Sequence, residues 1–284
     1  PMAEVRLLDD AEAKYISRGG LKLEGALRAT GLSVTGLRCL DVGQSTGGFT
    51  DCLLQHGAAQ VIGVDVGQGQ LHERLRADPR VIAVEGLNAR HLTPQALQEG
   101  CEEALSVREE LEPDDNDTQP EAPYAWMRNG GMIDDEYDDS ADAKEHEIEA
   151  FKAERATKAK DRAEGRLATV RKRLPGREKD DITPAFDLVV GDLSFISLGT
   201  VLPALTSCAA PDADIVPMVK PQFEVGKGNL GKNGIVESQE LREQALSSVV
   251  ACAERNGLDV RATTVSPIEG THGNIEYLLY AVMQ

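Results

Sequence analysis

The sequence predicts an α/β protein with a Rossmann-like, mostly parallel sheet of seven strands and helices on both faces. Its 284 residues alternate short apolar runs with stretches of helical spacing, which is typical of a parallel sheet. The first run, residues 37–42, leads through a glycine-rich turn into a helix, as in many nucleotide-binding sheets. The last two runs, residues 260–265 and 275–282, are separated only by a turn, which indicates an antiparallel pair at the edge.

The remaining predicted elements continue this alternation. Ser17 is expected to cap a first helix, and Ser238 a later helix that reaches Arg255 and stops at Asn256 and Gly257. The other predicted elements are strands at residues 61–64, 81–84, 186–190 and 214–219, and a helix at residues 198–208.

An acidic segment interrupts the pattern after the third strand. The chain carries a net charge of −18, and residues 99–154 contribute −16 of it, with 20 acidic and 4 basic side chains. We expect residues 99–140 to be loosely ordered and residues 141–173 to form one exposed helix. The predicted organisation is a tail over residues 1–16, a folded domain made of residues 17–98 and 182–284, and a partly disordered, partly helical insertion over residues 99–181. Since the rest of the chain is nearly neutral, its overall acidity does not exclude a nucleic-acid partner.

Composition excludes several classes of protein. The five cysteines are scattered without a C-x-x-C pair, so we predict neither a disulfide framework nor a metal site. The start of the chain is polar, and no window approaches the ~18 consecutive apolar residues of a membrane span. We therefore expect a cytoplasmic protein that does not bind membranes.

The glycine-rich turn begins a predicted nucleotide site. Residues 41–48 read DVGQSTGG, and glycine lets the backbone approach a ligand because it has no Cβ. Asp65 ends the next strand, where a carboxylate accepts hydrogen bonds from both ribose hydroxyls of an adenosine. Asn88 follows the third strand and is expected to meet the adenine edge. The G-x-x-x-G-G order differs from the dinucleotide pattern, which disfavours NAD; the alternative is a tight turn with exposed acids.

Six sequence blocks resemble those of the TlyA-type, FtsJ-like RNA methyltransferases, a family also called haemolysin-like. The blocks are YISRGGLKL (15–23), DVGQSTGGFT (41–50), DVGQGQL (65–71), GDLSFIS (191–197), VKPQFE (219–224) and GNIE (273–276). The resemblance implies a class I methyltransferase fold and S-adenosylmethionine as the cofactor. It also implies ribose 2′-hydroxyls of ribosomal RNA, often of cytidine, as the methyl acceptors.

The same resemblance implies the site residues. The family's Lys-Asp-Lys-Glu tetrad falls on Lys22, Asp192, Lys220 and Glu276. We assign Lys220 as the proton-accepting group and Asp192 as its orienting partner, while Lys22 and Glu276 complete the cluster and position the nucleotide. The predicted cofactor-binding residues are Asp41, Gly43, Ser45, Thr46, Gly47, Gly48, Phe49, Asp65, Asn88 and Asp192.

Chemistry supports this tetrad independently. A ribose hydroxyl is a weak acid, so a base or a cation must act on its proton as the methyl group transfers. Asp192 and Lys220 each close an apolar strand, on the rim where open α/β sheets bind ligands. Taken singly, Lys22 is equally consistent with a solvated helix residue and Glu276 with an edge-strand residue.

RNA is the predicted partner, and two other functions stay open. Candidate phosphate contacts are Arg18, Lys22, Lys227, Lys232 and the basic residues between 166 and 177. The alternatives are a small-molecule methyltransferase and a cofactor-binding but inactive RNA-associated protein. Base methylation is disfavoured, because the fourth strand is followed by DLSF and not by an N/D-P-P-Y/F block. The RNA, the nucleotide and the oligomeric state are left open.

Overall fold

The computed structural model describes residues 14–111 and 181–284. The predictions for residues 1–13 and 112–180, including the exposed helix over residues 141–173 and the basic residues between 166 and 177, lie outside the described residues. The described part of the chain forms one seven-stranded sheet with helices packed on both faces, which confirms the predicted fold.

The sheet is mostly parallel. Its strands are β1 (Arg38–Val42), β2 (Gln60–Asp65), β3 (Val81–Glu85), β4 (Phe186–Gly191), β5 (Ala209–Val219), β6 (Leu258–Val265) and β7 (Tyr277–Met283). Their order is β3-β2-β1-β4-β5-β7-β6, and only β7 runs antiparallel to its neighbours β5 and β6. The predicted antiparallel edge pair is therefore confirmed. Because the strand order reverses between β1 and β4, a crevice opens at their carboxyl ends, where such sheets bind ligands.

Helices cover both faces of the sheet. In the described residues they are α1 (Gly19–Thr30), α2 (Gly48–Gln55), α3 (Glu73–Arg76), α4 (Pro94–Leu111), α5 (Leu198–Ser207), α6 (Pro221–Glu224) and α7 (Gln239–Arg255). Helices α1 to α3 contribute to one apolar core cluster, and α4, α5 and α7 contribute to the other. Strand β1 shows the alternation that joins them, with Leu40 and Val42 in one cluster and Cys39 in the other.

The two predicted serine caps have different outcomes. Ser238 caps α7, because its Oγ accepts a hydrogen bond from Leu241 N at 3.2 Å. The prediction for Ser17 was wrong: Arg18 occupies the capping position of α1, and its side chain makes no capping hydrogen bond. Ser17 Oγ instead packs against Gly48, where a Cβ would overlap it. Ser17 thus fixes how α1 meets the glycine-rich turn.

Tyr15 and Ile16 pack on the domain and do not form part of a tail. Tyr15 is only 5% exposed, and its ring lies over Gly20, where no space remains for a Cβ. Ile16 N donates a hydrogen bond to Asp51 Oδ2 at 2.9 Å. The predicted boundary at residue 17 was too late, because one aromatic residue ahead of a helix gives no periodic signal.

Helix α4 carries the folded domain past residue 98. It runs to Leu111, so residues 99–111 are helical and do not belong to a loosely ordered insertion. Leu97 and Cys101 are fully buried, and Leu105 packs against the same core cluster. The high acid content of this segment concealed an amphipathic helix. No helix in residues 14–111 and 181–284 combines the length and the apolar composition needed to span a bilayer.

Candidate active site

A cavity of about 1150 Å³ opens at the carboxyl ends of the parallel strands. This is where ligands bind in open α/β sheets. Eight of the ten predicted cofactor residues line it: Gly43, Ser45, Thr46, Gly48, Phe49, Asp65, Asn88 and Asp192. The tetrad residues Lys22, Asp192 and Lys220 also line it, whereas Glu276 lies behind them and is only 2% exposed. The structure thus brings the two predicted sets of residues to one cavity.

The glycine-rich turn needs glycine at two positions for different reasons. Gly43 has a φ of 89°, and a Cβ there would come within 2.9 Å of the carbonyl oxygen of Asp192. Gly47 has a φ of 100°, and a Cβ there would overlap Leu75 and crowd Leu71. The turn is fastened to β2 by hydrogen bonds from Gly43 N and Gln44 N to Val64 O, at 2.8 and 3.2 Å. The lack of side chains therefore lets the turn lie against both β4 and α3.

Asp65 lies at the end of β2, facing the cavity. Its Oδ2 accepts a hydrogen bond from Ser45 N at 2.8 Å, and its Oδ1 accepts one from Gly67 N at 2.7 Å. Each carboxylate oxygen can accept a further hydrogen bond, so the side chain is held in place with capacity left for a ligand. Asn88 Oδ1 accepts a hydrogen bond from Arg90 N at 3.0 Å, and the residue is exposed on the cavity wall. Its contact with adenine stays a prediction.

Asp41 and Gly47 do not line the cavity, unlike the other eight residues, and their contact with the cofactor stays a prediction. Asp41 is fully buried, and its Oδ2 accepts a hydrogen bond from Thr50 Oγ1 at 2.7 Å. Its Oδ1 has no hydrogen-bond partner among the described residues. Burial raises the pKa of the Asp41 carboxyl to about 7, and the nearby Asp192 adds to the increase, although the hydrogen bond from Thr50 acts to lower the pKa.

The tetrad forms one chain of alternating charges. Lys220 Nζ lies 2.6 Å from Asp192 Oδ1, and Lys22 Nζ lies 3.6 Å from Asp192 Oδ2. Lys22 Nζ also lies 2.7 Å from Glu276 Oε2. Both lysines are at least nine-tenths buried. Since an unpaired buried charge is costly, this alternation lets two lysines and two carboxylates share one mostly buried site.

Four separate elements supply the tetrad. Lys22 lies in the first turns of α1, Asp192 directly follows β4, Lys220 directly follows β5, and Glu276 directly precedes β7. The antiparallel β5–β7 pairing, with Val219 opposite Tyr277, brings Lys220 and Glu276 to the same end of the sheet. The fold therefore places residues at opposite ends of the sequence beside one another.

An aromatic pair with one exposed ring was not predicted. Phe195 lines the cavity, is 87% exposed, and has a φ of 61°, which is unusual for a bulky residue. Its ring centroid lies 5.3 Å from that of Phe223. The signal in the sequence was the aromatic residue of each block, three positions beyond a tetrad member. The Phe195 ring, which Phe223 supports, gives the mouth of the cavity an apolar surface beside its charges.

Two further polar side chains extend the tetrad and were also missed. Lys220 Nζ donates a hydrogen bond to Ser194 Oγ at 3.0 Å, and Gln222 Nε2 donates one to Glu276 Oε1 at 3.0 Å. Both belong to blocks that carried the family resemblance. No spacing rule could have assigned their partners, because each contact crosses between elements.

The candidate phosphate contacts differ in their location. Arg18 and Lys22 line the cavity, and Arg18 Nη2 donates a hydrogen bond to Glu269 O at 3.2 Å. Lys227 and Lys232 are exposed on two short 3₁₀ turns between α6 and α7. Their contact with RNA stays a prediction.

Comparisons with known proteins agree on one family. A family model described as FtsJ-like methyltransferase matches residues 15–282. The chain is 38% identical over 274 residues to the 16S/23S rRNA (cytidine-2′-O)-methyltransferase TlyA of Mycobacterium tuberculosis, covering 96% of this chain and 70% of that protein. It is 30% identical over 270 residues to Hemolysin A of Brachyspira hyodysenteriae, covering 95% and 78% of the two chains.

A solved structure is also similar along nearly the whole chain. It is a protein of Streptococcus thermophilus, provisionally named a hemolysin, with a TM-score of 0.64 and 30% sequence identity. The match covers 99% of this chain and 70% of that one.

Proposed function

The chain belongs to the FtsJ-like methyltransferase family, and from that premise we propose that it methylates a ribose 2′-hydroxyl of ribosomal RNA with S-adenosylmethionine. The observation that carries the proposal is the alternating chain of Lys220, Asp192, Lys22 and Glu276 beside the cavity. A small-molecule methyltransferase does not require this set. The relative from Mycobacterium tuberculosis is named for the same reaction, at cytidine.

The cavity residues fit S-adenosylmethionine, which supplies an electrophilic methyl group when bound. At Gly43 and Gly48 the glycine-rich turn presents only backbone atoms, because glycine has no Cβ. Each carboxylate oxygen of Asp65 can accept one more hydrogen bond, from the ribose hydroxyls. Asn88 is our candidate for the adenine edge. Asp41 contributes by holding Thr50 and the turn from beneath.

The acceptor side of the cavity holds and deprotonates the hydroxyl. As the 2′-oxygen gains the methyl group it loses its proton, and we assign Lys220 Nζ as the group that takes it. Lys220 does so as the neutral amine, after its ammonium group has released a proton to solvent in the cavity. Asp192 orients Lys220 across their 2.6 Å ion pair. Lys22, held by Glu276 at 2.7 Å, keeps a positive charge near the oxygen where negative charge develops.

RNA as the substrate is supported by the surface around this cluster. Phe195 presents an exposed ring at the cavity mouth, and exposed aromatic rings stack on unpaired bases. Arg18 at the wall and Lys227 and Lys232 on the neighbouring turns are suited to phosphates. The acidic residues 99–154 hold nearly all of the net negative charge, so the rest of the chain is close to neutral.

Transfer of radiolabelled methyl groups from S-adenosylmethionine to ribosomal subunits tests the proposal, with mass spectrometry to locate the label on ribose. Lys220→Ala should lower the rate by at least about 100-fold and leave the calorimetric Kd for S-adenosylmethionine within about twofold. The matched control is Lys14→Ala, which removes a lysine from a partly exposed ion pair with Glu24 away from the cavity. Label on a base, or on a small molecule alone, would contradict the assigned acceptor. Equal loss of binding and rate in Lys220→Ala would contradict the assigned role.

A further inference from the structure

The loop between β4 and α5, residues 192–197, carries Asp192, Ser194 and Phe195 to the mouth of the cavity. Asp192 N donates a hydrogen bond to Val42 O at 3.1 Å, and no further backbone–backbone hydrogen bond joins residues 193–196 to the described part of the chain. Phe195 is in the left-handed region and 87% exposed, so neither backbone preference nor burial holds it. The position of this β4–α5 loop therefore depends on side-chain contacts.

Leu193 and Ile196 pack against the core cluster, and the polar and aromatic contacts of the loop come from the segment that begins at Lys220. Lys220 pairs with Asp192 and Ser194 at the start of the loop, and Phe223 meets the ring of Phe195 in the middle. Because residues 221–224 form the single turn of α6, these contact groups have fixed positions relative to one another. Lys220 thus contacts the start of the loop, and Phe223 contacts its middle.

Glu224 makes the contact at the far end of the loop. Its Oε2 accepts a hydrogen bond from Ser197 Oγ, and its Oε1 accepts one from Leu198 N, both at 2.7 Å. Ser197 occupies the capping position of the ten-residue helix α5, but its own side chain does not cap that helix. A carboxylate from another element does so instead, which suits the positive end of the helix dipole.

We propose that Glu224 is a positioning residue for methyl transfer, which holds the β4–α5 loop in register with Lys220. The proposal rests on the proposed function. Glu224 ties the end of the loop to the same turn that begins beside Lys220, so the Asp192–Lys220 pair and Phe195 are held from both sides. Loss of this tie removes the polar contacts at the end of the loop and leaves those of Asp192, Ser194 and Phe195 at its start and middle. Small displacements of reacting groups cost large factors in rate.

A second role for Glu224 must be separated from this one, because a helix cap also contributes to stability. Four variants of the full chain separate the positioning role from the capping role. Glu224→Ala removes the tie and the cap. Glu224→Gln keeps an acceptor for Leu198 N and a partner for Ser197 Oγ. Glu224→Ala combined with Ser197→Asp restores a cap from within the helix but not the tie, since aspartate at that position accepts from its own first turn. Ser238→Ala is the matched control, because it removes the cap of α7, away from the cavity.

The readouts are kcat and KM for the RNA, the Kd for S-adenosylmethionine, and Tm. Glu224→Ala should lower kcat at least about tenfold, with the Kd for the cofactor within twofold and a lower Tm. Glu224→Gln should recover most of kcat. The double variant should recover Tm but not kcat, and Ser238→Ala should lower Tm alone. Recovery of both quantities in the double variant, or an unchanged kcat in Glu224→Ala, would overturn the proposal.

A reporter that needs no RNA keeps this proposal separate from the proposed function. Phe195→Trp in a Trp126→Phe background places the chain's one tryptophan on the β4–α5 loop. Its fluorescence anisotropy should fall with Glu224→Ala and stay low after Ser197→Asp is added. Unchanged anisotropy would overturn the positioning role even if the protein methylates RNA. A wild-type protein that methylates no ribosomal RNA would refute the proposed function, while the anisotropy would still decide whether Glu224 holds the loop.

Discussion

The cofactor side and the acceptor side of the cavity are built in different ways. The cofactor side comes from residues 43–46, 48 and 49, Asp65 and Asn88, which lie at or just beyond the ends of the first three strands. Its main contacts involve the backbone, as where Asp65 accepts hydrogen bonds from two amide groups. The acceptor side comes from four elements, and its members Lys22 and Glu276 are 254 residues apart in the chain. Its contacts join charged side chains.

This difference indicates how each side tolerates change. The cofactor side depends on residues without side chains, such as Gly43, which lies directly against Asp192. A substitution there changes the shape of the cavity and therefore its affinity for the cofactor. The acceptor side depends on pairing, so the removal of one charge leaves others buried without partners. We expect variants of the first side to change the Kd for S-adenosylmethionine, and variants of the second to change the rate.

The largest expected effect follows from Asp192→Asn, which tests whether the two sides are separable. The substitution keeps the shape but leaves Lys220 and Lys22 without the carboxylate between them. Methyl transfer should fall by about 10³-fold, measured in single-turnover reactions at saturating cofactor. Because Asp192 lines the cavity and is also a predicted cofactor contact, calorimetry decides whether affinity falls with the rate. Asp187→Asn, at the other end of β4, is the control and should leave the rate near that of wild type.

Asp41→Asn should have the next largest effect, and it concerns stability. Burial raises the pKa of this carboxyl from 3.8 to about 7, so the folded state binds a proton that the unfolded state releases between pH 4 and pH 7. Its contribution to stability is present below pH 4 and is lost as the pH rises to 7. The variant cannot ionise, so its free energy of unfolding relative to wild type should increase by roughly 4 kcal/mol between pH 4 and pH 8.

Urea unfolding at several pH values measures this difference. The control is Asp78→Asn, since Asp78 is buried but paired with Arg80 at 2.7 Å, and its replacement should destabilise the protein at pH 8. A difference between Asp41→Asn and wild type that does not change with pH would show that Asp41 stays ionised beneath the turn.

The smallest expected effect comes from Asp65→Ala. The variant removes the acceptor for ribose hydroxyls and for two backbone amides, so the Kd for S-adenosylmethionine should rise about tenfold or slightly more. The rate at saturating cofactor should change little. Glu85→Gln, a carboxylate at the end of the neighbouring strand, should leave affinity unchanged. If Asp65→Ala instead lowered the saturated rate and spared affinity, the division between the two sides would fail.

Elements with strong local patterns were predictable from the sequence. The seven strands, the antiparallel edge and the cap at Ser238 follow from apolar runs, turn residues and a serine before a helical stretch. The tetrad was found through short blocks that resemble a family. The strand ends put two of its members on the correct rim, and the structure brings all four together.

Other features depend on contacts that a sequence does not display. Tyr15 is buried because Gly20, five positions later, leaves room for its ring. The many acidic residues of α4 obscured the apolar face of that helix in the sequence. Asp41 is fully enclosed because β1 is buried along its whole length. The exposure of Phe195 and the partner of Glu224 arise from packing between elements.

The alternating charges of the tetrad also bear on the response to ionic strength. Two ammonium groups and two carboxylates in contact cancel at short range, so the cluster projects little field beyond the cavity. Added salt screens exposed charges over about 10 Å at 0.1 M but acts weakly on close, buried pairs. Attraction of a polyanion must therefore rely on exposed cations such as Lys227 and Lys232. Salt should consequently weaken the capture of RNA while the chemical step in the captured complex proceeds almost unchanged.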